Sequence, residues 1–146
     1  MPGIGTITAA QQAIESIIFQ PRGQQENHLL DRYVLAILNR PANLTLQAAH
    51  NNFLTTLRND QRIPQHIRVA TELRLNRILG LFNQLRANRT AARQIPGSLE
   101  DTEQGRQLQQ QYLQTTGILR RIVSQGAFGE LLIHADGPIR TVPSQP

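Results

Sequence analysis

The feature that most constrains the fold is a thirty-residue stretch, 64–93, with no proline after its first position. Pro64 suits the first turn of a helix, where its missing N–H group costs nothing. Ile95 precedes Pro96 and is disfavoured from helical conformation, so a helix should end just before it. Apolar side chains recur at steps of three and four, the spacing of one helix face, at Ile67, Leu75, Ile78, Leu81, Phe82 and Leu85. The stretch therefore predicts one long helix.

Four other segments show helical periodicity. The first is capped by Thr6 or Thr8 and ends near Phe19, and the others span about 24–40, 44–59 and 98–125. Asn43 is the expected N-cap of the third helix. Ser98 is expected to start the helix after the long one, with Asp101 in the position of a capping-box acid.

No period-two strand of useful length and no internal repeat accompany these segments. The prediction is an all-α fold, an antiparallel bundle of four to five helices, the last two long, joined by short loops. A chain of 146 residues is expected to form one domain, here 1–134. A short apolar segment at 126–133 is expected to add a final helical turn. Residues 135–146, rich in Gly, Pro, Ser and Gln, are expected to be a flexible, disordered tail or a linker.

The absence of lysine is the most unusual feature of the composition, since all 15 basic side chains are arginine. A GC-rich genome is one explanation. The other is chemical, because a chain without ε-amines offers no side-chain site for ubiquitin or acetyl groups. Such avoidance would suit a bacterial toxin, an injected effector or a viral protein that works inside a eukaryotic cell. Both explanations stay open.

Positive charge is unevenly distributed along the chain, and the predicted arrangement gathers much of it at one end of the molecule. In an up-down arrangement the turn near 19–23, the turn near 58–63 and the end of the last long helix share one end of the molecule. Arginine binds phosphates bidentately and keeps its charge, and apolar residues beside it would add membrane affinity. We call this predicted anionic-lipid-binding site the Arg-rich pole, and its residues are Phe19, Arg22, Arg58, Arg62, Ile63, Arg120 and Arg121.

At the opposite end, arginines close the long helix and acids open the next one. Arg86, Arg89 and Arg93 are placed to face Glu100, Asp101 and Glu103 across a short hairpin. Each group complements the dipole of its own helix. We expect mutual salt bridges there rather than a ligand site.

The sequence shows no catalytic constellation. The four histidines (His28, His50, His66 and His134) lack metal-binding spacing, and the chain has no cysteine. No glycine-rich loop follows a strand to cradle a phosphate. We therefore predict no enzyme, no catalytic residue, no metal and no cofactor.

These features favour a targeting or docking domain that binds anionic membrane lipids, such as phosphoinositide head groups, through the Arg-rich pole. The absence of lysine favours the N-terminal part of a secreted bacterial effector, acting at the cytoplasmic face of a host membrane. A secretion chaperone, a host protein or a second copy of the chain, as a homodimer, would be further partners.

Two alternatives remain. A net charge of +5 also fits a nucleic-acid-binding or viral structural protein, but aromatics that could stack on bases form only 4% of the chain. The other is a protein-docking module, chaperone-binding or oligomerising, whose glutamine-rich fifth helix supplies the contact face.

Overall fold

The computed structural model describes residues 8–135. Over this range the chain is all-helical and contains no β-strand, which confirms the all-α part of the prediction. The helices are α1 (Ala9–Ile18), α2 (Gln24–Leu38), α3 (Leu46–Arg58), α4 (Gln65–Arg93), α5 (Glu103–Ile122) and α6 (Gln125–His134), with a 3-10 helix, Leu99–Asp101, before α5. The described part thus has six α-helices rather than four to five.

The additional helix is α6, where the sequence predicted only a final turn. The hydroxyl of Ser124 caps it by accepting a hydrogen bond from the Ala127 amide at 3.1 Å. Phe128 and Leu131 are buried and fix α6 to the core. This burial offsets the low helix propensity of its two glycines.

The long helix α4, which the sequence predicted, is the centre of the fold. It contacts α1, α2, α3 and α5. Its apolar face lies in the main core with side chains from every other α-helix. Pro64 is the N-cap residue rather than a member of the first turn. Through its contacts with these four helices, α4 determines where their surfaces lie.

Two predicted helix starts are wrong by a few residues. Helix α3 is capped by Thr45, whose hydroxyl accepts from the Ala48 amide at 3.0 Å. Asn43 lies inside the preceding turn, which the Leu44 amide closes by donating to the Pro41 carbonyl. Helix α5 is capped by Thr102. Ser98 caps only the 3-10 helix, in which Asp101 is the last residue.

The two ends of the chain are largely outside the described residues. This holds for Thr6, one of the two predicted caps of the first helix, and for the predicted tail, 135–146, apart from Ala135. Ala135 is the C-cap residue of α6 and is buried. It therefore belongs to the folded part rather than to the tail.

Helix α1 is held by polar contacts as much as by apolar ones, since Ile18 is its one buried residue. Arg74 of α4, only 1% exposed, donates hydrogen bonds to the carbonyls of Ile17 at 3.0 Å and Ile18 at 3.3 Å. Its Nη1 lies 2.9 Å from a carboxylate oxygen of Glu26. One arginine therefore joins α4 to the end of α1 and the start of α2.

A buried hydrogen-bond chain joins α2, α3 and α4. The Tyr33 hydroxyl lies 2.6 Å from Nδ1 of His50, and Nε2 of His50 lies 3.0 Å from the amide oxygen of Asn76. Because that oxygen can only accept, Nε2 carries the proton and Nδ1 accepts from Tyr33. Protonation of Nδ1 would remove the acceptor that Tyr33 uses.

This chain makes stability depend on pH. Burial, and to a smaller extent Arg58, lowers the pKa of His50, although Asn76 and Glu72 oppose the shift. Below the ordinary histidine pKa of about 6.5 the unfolded state therefore binds a proton that the folded state resists. Urea unfolding should show stability falling from about pH 6.5 downward, before carboxylates titrate. His50→Gln should flatten that part of the profile. An unchanged slope in His50→Gln would assign the pH dependence to other groups.

Candidate anion-binding surface

Three residues of the Arg-rich pole come together where α1 and α5 end. The guanidinium carbon of Arg121 lies 3.9 Å from the ring centroid of Phe19. Arg22 donates one hydrogen bond to the Arg121 carbonyl at 3.3 Å and another to Asn27 Oδ1 at 2.8 Å. Burial, and next the charge of Arg74, lowers the pKa of Arg22 from its ordinary value, which lies far above neutral pH. Arg22 and Arg121 are thus neighbouring cations, and Arg121 lies over the Phe19 ring.

Arg120 stands beside this group and packs on a different ring. Its guanidinium carbon lies 4.7 Å from the ring centroid of Phe128 in α6. Arg120 and Arg121 both belong to the last turn of α5, where positive charge complements the helix dipole. Each arginine is exposed and is oriented by an aromatic side chain.

Arg58 and Arg62 form a second group at the α3–α4 turn, and each is paired. Arg58 makes two hydrogen bonds to the carboxylate of Glu72, at 2.8 and 2.6 Å. Arg62 binds Asp60 with Nε–Oδ1 and Nη2–Oδ2 distances of 3.0 Å. The hydrogen bonds from Arg58 and Arg62 lower the pKa values of Glu72 and Asp60, respectively. Their positive charge is therefore partly neutralised.

The expectation of exposed apolar residues at this pole is wrong for Ile63, which is buried in the main core. Phe19 is half-buried, packs against the same core and lies under Arg121. Both side chains therefore contribute to the interior. The pole thus offers guanidinium groups rather than apolar anchors.

Of the arginines of the Arg-rich pole, Arg22, Arg120 and Arg121 have no carboxylate partner among the described residues. Within residues 8–135, none of the three lies within salt-bridge distance of an acidic side chain. They come from the α1–α2 turn and from one end of α5. Of the residues predicted to bind anionic lipid, these three arginines are therefore the ones whose guanidinium groups can donate to an anion without first leaving a carboxylate.

The opposite end differs in part from its prediction. Arg106 of α5 pairs with Glu103 at 2.9 Å and donates to the Glu100 carbonyl at 2.9 Å. Arg86 lies 5.8 Å from the ring centroid of Phe82 instead of reaching the acids. Glu103 therefore pairs within its own helix, with Arg106 one turn further along.

Sequence reasoning missed two features of the arginines. Arg74 is buried, although its spacing from Thr71 and Ile78 did place it on the apolar stripe of α4. Arg40 and Arg86 line one pocket with His134, an assembly from three distant segments that no local pattern shows.

Residues 8–135 lack the features of two other classes of site. This part of the chain has no cluster of three or more His, Cys, Asp or Glu side chains arranged to hold a metal ion. None of its helices has both the length and the hydropathy needed to cross a bilayer. The chain matches no protein-family model, and comparison with curated proteins and with solved structures gives no significant match. The surface is therefore interpreted from its own geometry.

Proposed function

We propose that this protein is a non-enzymatic docking domain, an antiparallel helical bundle that binds anionic membrane surfaces through Arg22, Arg120 and Arg121. The observation that carries the proposal is the pair Arg120 and Arg121, exposed, each stacked on an aromatic ring and without a carboxylate partner. Guanidinium groups that are already oriented lose less side-chain freedom when they bind phosphate oxygens. The ligands are anionic lipid head groups, for example phosphoinositides.

The proposed contact is electrostatic. Ile63 is buried and Phe19 is covered by Arg121, so the apolar contribution to membrane binding is small. Attraction between basic side chains and an anionic leaflet contributes about 1 kcal/mol per residue and decays within a Debye length. Binding is therefore sensitive to salt and reversible.

The absence of lysine supports a setting inside a eukaryotic host. A domain without ε-amines carries no side-chain acceptor for ubiquitin. We place the domain in a secreted bacterial effector, at the cytoplasmic face of a host membrane. Immunoblots after expression in eukaryotic cells should show that inhibiting ubiquitin conjugation does not lengthen the half-life of the protein, whereas a longer half-life would contradict this explanation.

The functional test compares two double variants with the same change in net charge. Arg120→Ser/Arg121→Ser removes two available cations and should weaken co-sedimentation with anionic liposomes about thirtyfold. Arg58→Ser/Arg62→Ser removes two cations already paired with Glu72 and Asp60, and should weaken it less. Circular dichroism checks that both variants fold. Equal losses would show that only net charge matters, and an unaffected first variant would exclude this surface.

A further inference from the structure

A second basic pocket lies at the other end of α2 from Arg22. Its volume is about 290 Å³, and it is lined by Leu38, Arg40, Pro41, Ala42, Phe82, Arg86 and His134. Arg22 and Arg40 flank opposite ends of α2, whose 15 residues give a length of about 22 Å. The pocket is therefore separate from the surface proposed to bind membranes.

Among residues 8–135, the lining contains two arginines and a histidine but no acidic side chain. Arg40 comes from the α2–α3 turn, Arg86 from α4 and His134 from the last turn of α6. Three segments far apart in sequence thus surround one space with basic groups. Leu38 and Phe82 supply an apolar wall.

The orientation of Arg40 is fixed by the fold. Its Nη1 donates to the Ile37 carbonyl at 2.7 Å and its Nε to the Leu44 carbonyl at 2.9 Å. A guanidinium group has five N–H donors, so these two bonds leave three. The first of these bonds also satisfies the carbonyl of Ile37, near the C-terminus of α2, which would otherwise repel an anion.

The other two basic groups are oriented as well. Arg86 lies beside the ring of Phe82. Nδ1 of His134 lies 3.0 Å from the Glu130 carbonyl, so it carries a proton and donates. Nε2 of His134 remains for a ligand, as an acceptor in the neutral ring or a donor in the protonated one.

From this arrangement we propose that the pocket binds a phosphate monoester. Its several oxygens can accept from Arg40 and Arg86 together while one oxygen meets Nε2 of His134. Arginine forks match phosphate oxygens in geometry and in charge. The organic part of the ester rests against Leu38 and Phe82. This site does not depend on the membrane-binding proposal.

The test uses inorganic phosphate and glycerol phosphate, titrated at constant ionic strength and followed by amide chemical shifts. Either anion should give saturable shifts within 38–44, 82–86 and 131–135. Arg86→Gln should weaken binding at least about tenfold, because it removes a charge-assisted hydrogen bond. Arg32→Gln is the matched control, since Arg32 is exposed on α2 and does not line this pocket, and it should leave affinity within about twofold.

The source of the phosphate is distinguished in the Arg120→Ser/Arg121→Ser background. Saturation by soluble glycerol phosphate identifies a free ester. Binding to phosphatidic acid vesicles that Arg86→Gln removes, without saturation by the soluble ester, identifies a lipid head group. The proposal is overturned if neither the soluble anions nor the phosphatidic acid vesicles bind, if Arg86→Gln and Arg32→Gln weaken binding equally, or if the shifts fall at 19–23 and 120–123.

Discussion

Replacing Arg74 with methionine should lower the free energy of unfolding by about 3 kcal/mol. The variant keeps much of the buried aliphatic volume but removes every donor of the guanidinium group. The carbonyls of Ile17 and Ile18 lose their hydrogen bonds at the end of α1, and Glu26 loses its cation. Urea unfolding followed by circular dichroism measures the change.

A second readout of Arg74→Met comes from Glu26. Hydrogen bonds from the Gly23 amide and from Arg74 lower the pKa of Glu26, although its burial opposes this. The variant should therefore raise that pKa. A lowered carboxyl pKa stabilises the folded state at pH values above the pKa of the unfolded state. In the wild type this contribution to stability fades as the pH falls below about 4.5, and Arg74→Met should lose the part of it that Arg74 supplies.

Arg77→Met is the matched control. Arg77 lies three residues further along α4 and pairs with Glu15 at 3.2 Å, but a third of each side chain is exposed. Screened pairs of this kind contribute about 0.5 kcal/mol. If the two variants lost similar stability, burial of Arg74 would not be what holds α1 and α2 on α4.

Gly105→Ala is expected to have a comparable effect for a steric reason. A Cβ atom at Gly105 would lie 2.2 Å from the carbonyl oxygen of Leu99 and 2.8 Å from its carbonyl carbon. The obstacle is backbone, so the 3-10 helix must move off α5 and disturb the small core of Ala92, Ile95, Leu99 and Leu108. We expect a loss of about 3 kcal/mol in thermal or urea unfolding.

Gly117→Ala controls for helix propensity in the same helix. A Cβ atom at Gly117 meets nothing within 4 Å, so the substitution should stabilise α5 by about 0.5–1 kcal/mol. The two glycine variants should thus differ in sign. A neutral Gly105→Ala would contradict the close packing of Leu99 on α5.

Helices with a continuous apolar stripe were predictable from the sequence because helical periodicity is local information. This is why α4 was found with its end at Arg93. Helix α6 was missed because Gly126 and Gly129 interrupt a short segment that only burial stabilises. The choice of Thr45 over Asn43 as a cap depended on how the preceding turn closes.

The roles of the arginines were harder to predict because their partners lie far along the chain. Arg74 meets Glu26, which is 48 residues away. Arg58 meets Glu72 only because α3 packs against α4, and Ile63 is buried for the same reason. The pairing of Arg62 with Asp60 is local and could have been anticipated. Charge counted along a sequence therefore overestimates the cations that a surface offers.

Co-sedimentation of the wild-type protein with liposomes tests the central proposal most directly. Neutral and anionic liposomes are compared at 50 and 300 mM salt, and competing duplex DNA is added in a parallel series. We predict binding to anionic liposomes alone, lost at the higher salt because exposed charges are screened. Binding to neutral liposomes, persistence at the higher salt, or preference for DNA over anionic lipid would contradict an electrostatic membrane-docking surface.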